Sequence, residues 1–198
     1  MQFKTKKSMQ SAWEQFYNEH GRFYLLPHPA MKRLINLLRA YKVKKVADLG
    51  CGNGRHLIAL AEEGFQVNGV DISPSAVEMA RDWLSEKGLE GQVEIADLHE
   101  EIKSYQDASF DAVIAVNSLN YETHEQFFNS LKEINRILKD QGIFFLVVPS
   151  KETVIAKPDL EQLFFNEEAL RLALVGNFKI LELNQDDEKN FVVIAQEK

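Results

Sequence analysis

From residue 44 onward, short β-rich apolar runs alternate with stretches whose apolar residues recur at helical spacing. The runs are KKVADL (44–49), FQVNGVD (65–71), QVEIAD (92–97), FDAVIAV (110–116) and GIFFLVV (142–148). Each is bounded by Gly, Asp, Asn or Pro, which predicts strands. Between them Ala76, Val77, Ala80, Trp83 and Leu84 form one apolar helical face, and Phe127, Phe128, Leu131, Ile134, Ile137 and Leu138 form another. Ser75 with Glu78, and Thr123 with Gln126, predict capping boxes at the starts of these helices. The order is βαβαβ, and a near-continuous apolar strand such as IFFLVV suits a parallel sheet covered on both faces. The expected fold is therefore a doubly wound, Rossmann-like α/β sandwich. The end of the chain departs from it. NFKILELN (177–184) and KNFVVIAQ (189–196) are separated only by QDDE, a hairpin length, so the last pair is expected to be antiparallel.

Composition narrows the partners. With 45% hydrophobic residues, 198 residues fill the core of one domain, and no linker or internal repeat divides the chain. A net charge of -7 leaves no overall attraction for phosphate backbones or anionic lipid, so neither nucleic acid nor membrane is expected. No apolar run approaches the ~18 residues of a membrane span. The single Cys51 excludes an internal disulfide and a multi-cysteine metal site, and no metal is expected. MQFKTKKSMQSAW is basic but has no apolar segment behind it, and a cytoplasmic protein is expected.

The chemistry concentrates in VADLGCGNGRHL. Gly50, Gly52 and Gly54 stand where the first strand turns into the first helix, the place at which an open α/β sheet takes its ligand. Glycine there lets backbone N–H groups approach a ligand without Cβ interference. The third glycine of a dinucleotide fingerprint would fall at position 55, which is Arg55, and no G-K-[ST] follows, so a P-loop is excluded. Taken alone, the glycines suit a tight turn as well as a cradle. Asp71 ends the second strand, about 20 residues beyond the glycines, where a carboxylate can accept both hydroxyls of a ribose. Asp97 ends the third strand. Each has a plainer role, Asp71 as a helix cap and Asp97 as a turn residue. With Asp48 they make a three-carboxylate edge around the loop, which favours a ligand.

These residues resemble the class I S-adenosylmethionine-dependent methyltransferases. The likeness rests on ADLGCGNG, Asp71, ADLHE, FDAVIAVNSLNY and LKEINRILKDQGIFFLVVPS, and covers about residues 30–198. It implies a seven-stranded mixed sheet in the order 3-2-1-4-5-7-6 with strand 7 antiparallel, and S-adenosyl-L-methionine as cofactor with S-adenosyl-L-homocysteine as product. It also implies that Asp48, Gly50, Cys51, Gly52, Asn53 and Gly54 border the methionine part, Asp71 with Ile72 the ribose, and Asp97 with Leu98 the adenine. Asn117 matches the position whose backbone carbonyl receives the cofactor's amino group. LGCGNGR and ALAEEGFQVNGVDIS look most like the tellurite-resistance-type branch, which acts on small molecules.

Residues 43–198 are expected to form the core and residues 1–42 an N-terminal helical lid or cap on the same domain. Within that segment Trp13, Tyr17 and Tyr24, joined by Tyr121, are candidates for an acceptor pocket. Trp13, Phe16 and Tyr17 at helical spacing also suit simple packing. No catalytic group is assigned; His124, Tyr121 and His28 are candidate proton acceptors. Cys51 reads as a small packing residue. NSLNY carries no proline after strand four, unlike the methyltransferases of base amines, so a small soluble acceptor is expected, bound by a monomer or homodimer. Two other readings stay open: a SAM-binding regulatory or scaffold subunit without turnover, and a nicotinamide-dependent oxidoreductase, which should lack the terminal hairpin.

Overall fold

The computed structural model describes residues 6–23, 25–153 and 160–198. The elements follow in the order α1 Lys6–His20, α2 Met31–Ala40, β1 Lys45–Leu49, α3 Arg55–Glu62, β2 Gln66–Asp71, α4 Pro74–Glu86, β3 Gln92–Ile95 and α5 Leu98–Ser104. Next come β4 Phe110–Val116, α6 His124–Ile137, β5 Leu138–Pro149, α7 Glu167–Leu174, β6 Phe178–Gln185 and β7 Asn190–Glu197. Among the described residues the strands form one seven-stranded sheet in the order β3-β2-β1-β4-β5-β7-β6. β1 to β5 pair in parallel, and β7 runs antiparallel to both β5 and β6. This is the expected topology, including the hairpin at the end.

Alternation along the inner strands sends side chains to two cores. Ala47, Leu49, Val113, Ala115, Phe144, Leu146 and Val148 face α5, α6 and α7. Val46, Ala112, Ile114, Ile143, Phe145 and Val147 face α2, α3 and α4. Each fully buried Phe, Leu or Ile contributes about 1.5–3 kcal/mol relative to exposure, so the inner strands carry much of the stability. The segment expected to cap the core divides between two places. Met31, Leu34, Ile35 and Leu38 of α2 are buried in the helical layer on the sheet, and α1 lies against α4 at the C-terminal edge of the strands.

The helix starts are set by caps. Thr123 and Gln126 form the expected capping box on α6, each side chain bonded to the other's backbone N–H at 2.9 and 3.1 Å. α4 is a correction. Its cap is Ser73, whose hydroxyl accepts from Ala76 N at 3.2 Å, because Pro74 at the first helical position fixes φ and gives up no needed donor. Ser75, expected to cap, turns its hydroxyl to Glu14 of α1 instead.

Candidate active site

The strand-to-helix turn after β1 is held in a conformation that only glycine enters readily. Gly50, Gly52 and Gly54 have φ of +76°, +55° and +89°. A Cβ on Gly50 would lie 2.4 Å from Ser118 Cβ, and one on Gly52 2.4 Å from the Tyr17 hydroxyl. Gly54 serves a different end: its Cβ would meet Ala80 Cβ at 2.8 Å, so it lets α3 pack on α4. The loop is tied to the neighbouring strand, with Gly50 N and Cys51 N both donating to Val70 O at 2.8 and 2.9 Å.

Asp71 completes the tether. One carboxylate oxygen accepts from Gly52 N at 2.8 Å and the other from Ser73 N at 3.0 Å. It therefore shapes the cradle as well as facing it, and each oxygen keeps a lone pair for a further donor. Burial raises its pKa, and the hydrogen bonds from Ser73 and Gly52 oppose that rise. Asp97 caps α5 by accepting from His99 N at 3.0 Å. The plainer roles thus fall out differently from expectation: α4 is capped by Ser73 and not by Asp71, and Asp97 is a helix cap rather than a turn residue, while both carboxylates also stand on the cavity wall.

α1 forms the roof. Glu14 accepts from the Ser73 hydroxyl at 2.7 Å and from Ser75 N at 3.0 Å, and Gln10 donates to Ile72 O at 3.1 Å. Burial raises the Glu14 carboxyl, but the bonds from Ser75 and Ser73 outweigh it and leave the group below its usual range. A carboxylate at the start of α4 also meets the positive end of the helix dipole. Trp13 meets the Tyr121 ring edge-on at 5.1 Å. Phe16 and Tyr17 pack with Ala76 into a small separate apolar cluster. The packing role expected of these aromatics is thus present, and Trp13 and Tyr17 also line the cavity described next.

Roof, loop and strand ends enclose a cavity of about 750 Å3. Of the expected site residues, Gly50, Cys51, Gly52, Asn53, Asp71, Ile72, Asp97, Leu98 and Asn117 line it, together with Trp13, Tyr17, Tyr121 and His124. Asp48 and Gly54, expected to border a ligand, do not reach it among the described residues. Tyr24 lies outside the described residues. His28 is placed elsewhere, because its Nδ1 accepts from Ala30 N at 3.2 Å and its Nε2 faces Asp186 at 3.0 Å, clasping the N-terminal segment to the β6–β7 hairpin. Cys51 is buried, and burial first, then the Asp71 and Asp48 charges, push its thiol well above the usual range. It is a packing residue, as expected. Among the described residues no group of His, Cys, Asp and Glu is arranged to hold a metal.

Two buried carboxyls stand out. Asp48 is fully buried beneath the loop, and neither of its oxygens has a hydrogen-bond partner among the described residues. Burial, with the Asp71 charge adding and Arg55 opposing, raises its pKa to about 8. Glu122 was not anticipated from the sequence. One oxygen accepts from the Ser130 hydroxyl at 2.9 Å and lies 3.0 Å from His99 Nε2, and the other has no partner among the described residues. Burial raises it to about 8, the Ser130 bond opposing and Asp97 adding. The available signal was His99, two residues past the strand-three acid.

The comparisons with known proteins point the same way. The profile of the family described as "Methyltransferase domain" matches residues 46–142, from within β1 to within β5. Residues 46–142 thus carry a methyltransferase domain, and this match, the named methyltransferase relatives and the shared fold support a class I S-adenosylmethionine-dependent methyltransferase. It is 34% identical over 110 residues to a putative methyltransferase, YqeM, of Bacillus subtilis, covering 54% of this chain and 42% of that protein. It is 34% identical over 125 residues to the 27-O-demethylrifamycin SV methyltransferase of Amycolatopsis mediterranei, covering 60% and 44%. The chain thus spans less than half the length of these two relatives. The fold matches magnesium protoporphyrin IX methyltransferase from Synechocystis, solved with bound SAM, at a TM-score of 0.77 and 18% identity over 100% of this chain and 99% of that one. S-adenosylmethionine is the family's cofactor. The site fits it, since Gly50 and Gly52 of the left-handed turn line a cavity that Asp71 and Asp97 border as well.

Proposed function

We propose that this protein transfers the methyl group of S-adenosylmethionine to a small-molecule acceptor. The observation that carries the reading is the intact glycine cradle, open to the cavity and roofed by α1. Bound there, S-adenosylmethionine supplies an electrophilic methyl on a sulfonium, so an acceptor lone pair forms the new bond while the C–S pair returns to sulfur, leaving S-adenosylhomocysteine. The residues' work is chiefly alignment and exclusion of water. In this reading Gly50, Cys51, Gly52 and Asn53 border the methionine part, Asp71 and Ile72 the ribose, Asp97 and Leu98 the adenine, and the Asn117 carbonyl the amino group. Support comes from their sharing one cavity wall. Asp48 and Gly54 shape the loop from behind.

Where the acceptor arrives protonated, Tyr121 or His124 on the same wall is the group to receive or relay its proton. His28 is engaged with Ala30 and Asp186 and plays no such part. The small-acceptor reading is supported by the enclosing roof and by relatives named for rifamycin and porphyrin substrates. A cytoplasmic setting rests on composition alone. Calorimetry with S-adenosylhomocysteine and NADH, followed by labelled-methyl transfer to a small-molecule panel and to protein lysates, tests the proposal. We expect S-adenosylhomocysteine to bind, NADH not to, and label to appear in small products. Label confined to protein overturns the acceptor class, and tight binding without any transfer favours a scaffold role.

A further inference from the structure

A second cavity, of about 920 Å3, lies between Phe23 with residues 25–30, the end of β5 and the β6–β7 hairpin. It shares Phe23, Arg55, Asn117, Tyr121 and Gln162 with the first. Arg55 directly follows the glycine loop, and Asn117 precedes Ser118, which lies against Gly50. The neck between the cavities is therefore at the glycine-loop end of the first cavity, whereas Asp97 and His99 border only the first. If the adenine end takes Asp97, the reacting end faces the neck.

The second cavity has a distinct chemistry. Its wall carries Glu182, Asp186, Asp187 and Glu188 against Arg33 and Arg55. Arg33 is engaged by Glu182 at 2.6 Å. Asp186 accepts from Asn190 N and Asn190 Nδ2 at 2.8 and 2.9 Å. Asp186 also lies 3.0 Å from His28 Nε2, and His28 Nδ1 accepts from Ala30 N at 3.2 Å. Asp187 and Glu188 make no ion pair among the described residues and leave the hairpin end of the cavity negative. Leu25, Leu26, Val192 and Ile194 add an apolar surface. A second, independent feature asks for a donor. Asn120 is 1% exposed on this wall, its Nδ2 donates to Gln162 Oε1 at 3.0 Å, and its Oδ1 has no partner among the described residues. A buried carbonyl oxygen without a donor marks a place where a ligand N–H gains most.

We propose that this second cavity seats the methyl acceptor, and that the acceptor is a small molecule with an apolar body and a cationic nitrogen. The nitrogen lies toward Asp187 and Glu188, and the nucleophilic atom reaches the neck at Asn117 and Tyr121. The proposal rests on the methyltransferase reading above. Its test uses the full chain saturated with S-adenosylhomocysteine and two probes of matched shape, 2-phenylethylammonium and phenylacetate, followed by calorimetry. The ammonium probe is expected to bind at least tenfold more tightly than the carboxylate. In the double variant D187N/E188Q, whose exposed positions leave folding intact, ammonium affinity is expected to fall at least fivefold while S-adenosylhomocysteine affinity stays within twofold. Equal binding of both probes, binding of neither, or an ammonium affinity unmoved in the variant overturns the proposal. Failure of the wild-type protein to bind S-adenosylhomocysteine instead overturns the reading on which it rests.

Discussion

The middle of the sheet and its C-terminal edge are built from the same strands and obey different rules. From Ala112 in β4 and from Ile143 to Val148 in β5 every residue is apolar and buried, and the backbone pairs on both sides. A few residues further along, the same strands lead to Asn120 and Glu122, and β1 carries Asp48, all three with buried oxygens that find no partner among the described residues. Buried polar groups in proteins are nearly always satisfied. Apart from Ser109 Oγ at the opposite end of β4, the buried oxygens without a partner among the described residues gather at this edge, where local stability is lower than in the middle. The middle is closed to change of volume; the edge is closed to change of backbone shape.

That contrast can be broken from either side. The largest effect belongs to the middle: Phe144→Ala, at a fully buried position whose ring lies 5.1 Å from Phe178, is expected to cost about 3–5 kcal/mol. A urea titration reads this directly, and ligand affinity in the folded fraction should not change. The edge responds inversely. Gly52→Val places a side chain against Tyr17 in a left-handed conformation and is expected to weaken S-adenosylhomocysteine binding by roughly two orders of magnitude, about 2.7 kcal/mol. Its stability loss should be the strain of one residue, roughly 1–2 kcal/mol, and normal binding by this variant would make the loop a mere turn.

Asp71→Ala is intermediate. Part of its effect falls on the apo protein, since two loop N–H groups lose their acceptor, and hydrogen bonds to a charged group contribute about 1.5–3 kcal/mol each. Calorimetry and melting should therefore both move, which separates Asp71 from a residue that touches ligand alone.

The pH-dependent change has a sign that runs against habit. Asp48 has a folded pKa of about 8, raised from 3.8. The folded protein thus holds the proton more tightly, and the stability this gives is full below about pH 4 and lost as pH rises through about 8. Asp48→Asn should gain stability on the wild type across that window, most at the alkaline end. Urea midpoints of the two proteins between pH 5 and 8.5 check it, and parallel curves would show that Asp48 is not protonated.

The fold was legible because each strand run is short, apolar and punctuated, and because QDDE leaves room only for a hairpin. Gly50 and Gly52 were legible for the reason they exist, since a bare backbone is visible in a sequence. Other features depend on residues far apart. Ser73 and Ser75 compete to cap α4, and Pro74 decides locally, but the partner that draws Ser75 away is Glu14, 61 positions earlier. His28 is a chemically plausible base until Asp186, 158 positions later, claims it. Glu122 and His99 meet only because α5 lies against α6. Sequence spacing carries no trace of such encounters, whereas it carries the glycine turn in full.

The way α1 is fastened has a kinetic meaning. Among the described residues its hold on the rest of the molecule includes side-chain bonds of Gln10, Glu14 and Asn18, the Trp13 ring against Tyr121 and one small aromatic cluster, and it has no share in the sheet. Such an element opens as a unit at a free energy well below global unfolding. Amide exchange along α1 should then proceed by detachment of the whole helix, far faster than in β4 or β5. Weakening the Glu14 staple is therefore expected to shorten the dwell time of a ligand held beneath Trp13 and Tyr17, with the residues of the glycine turn left as they are.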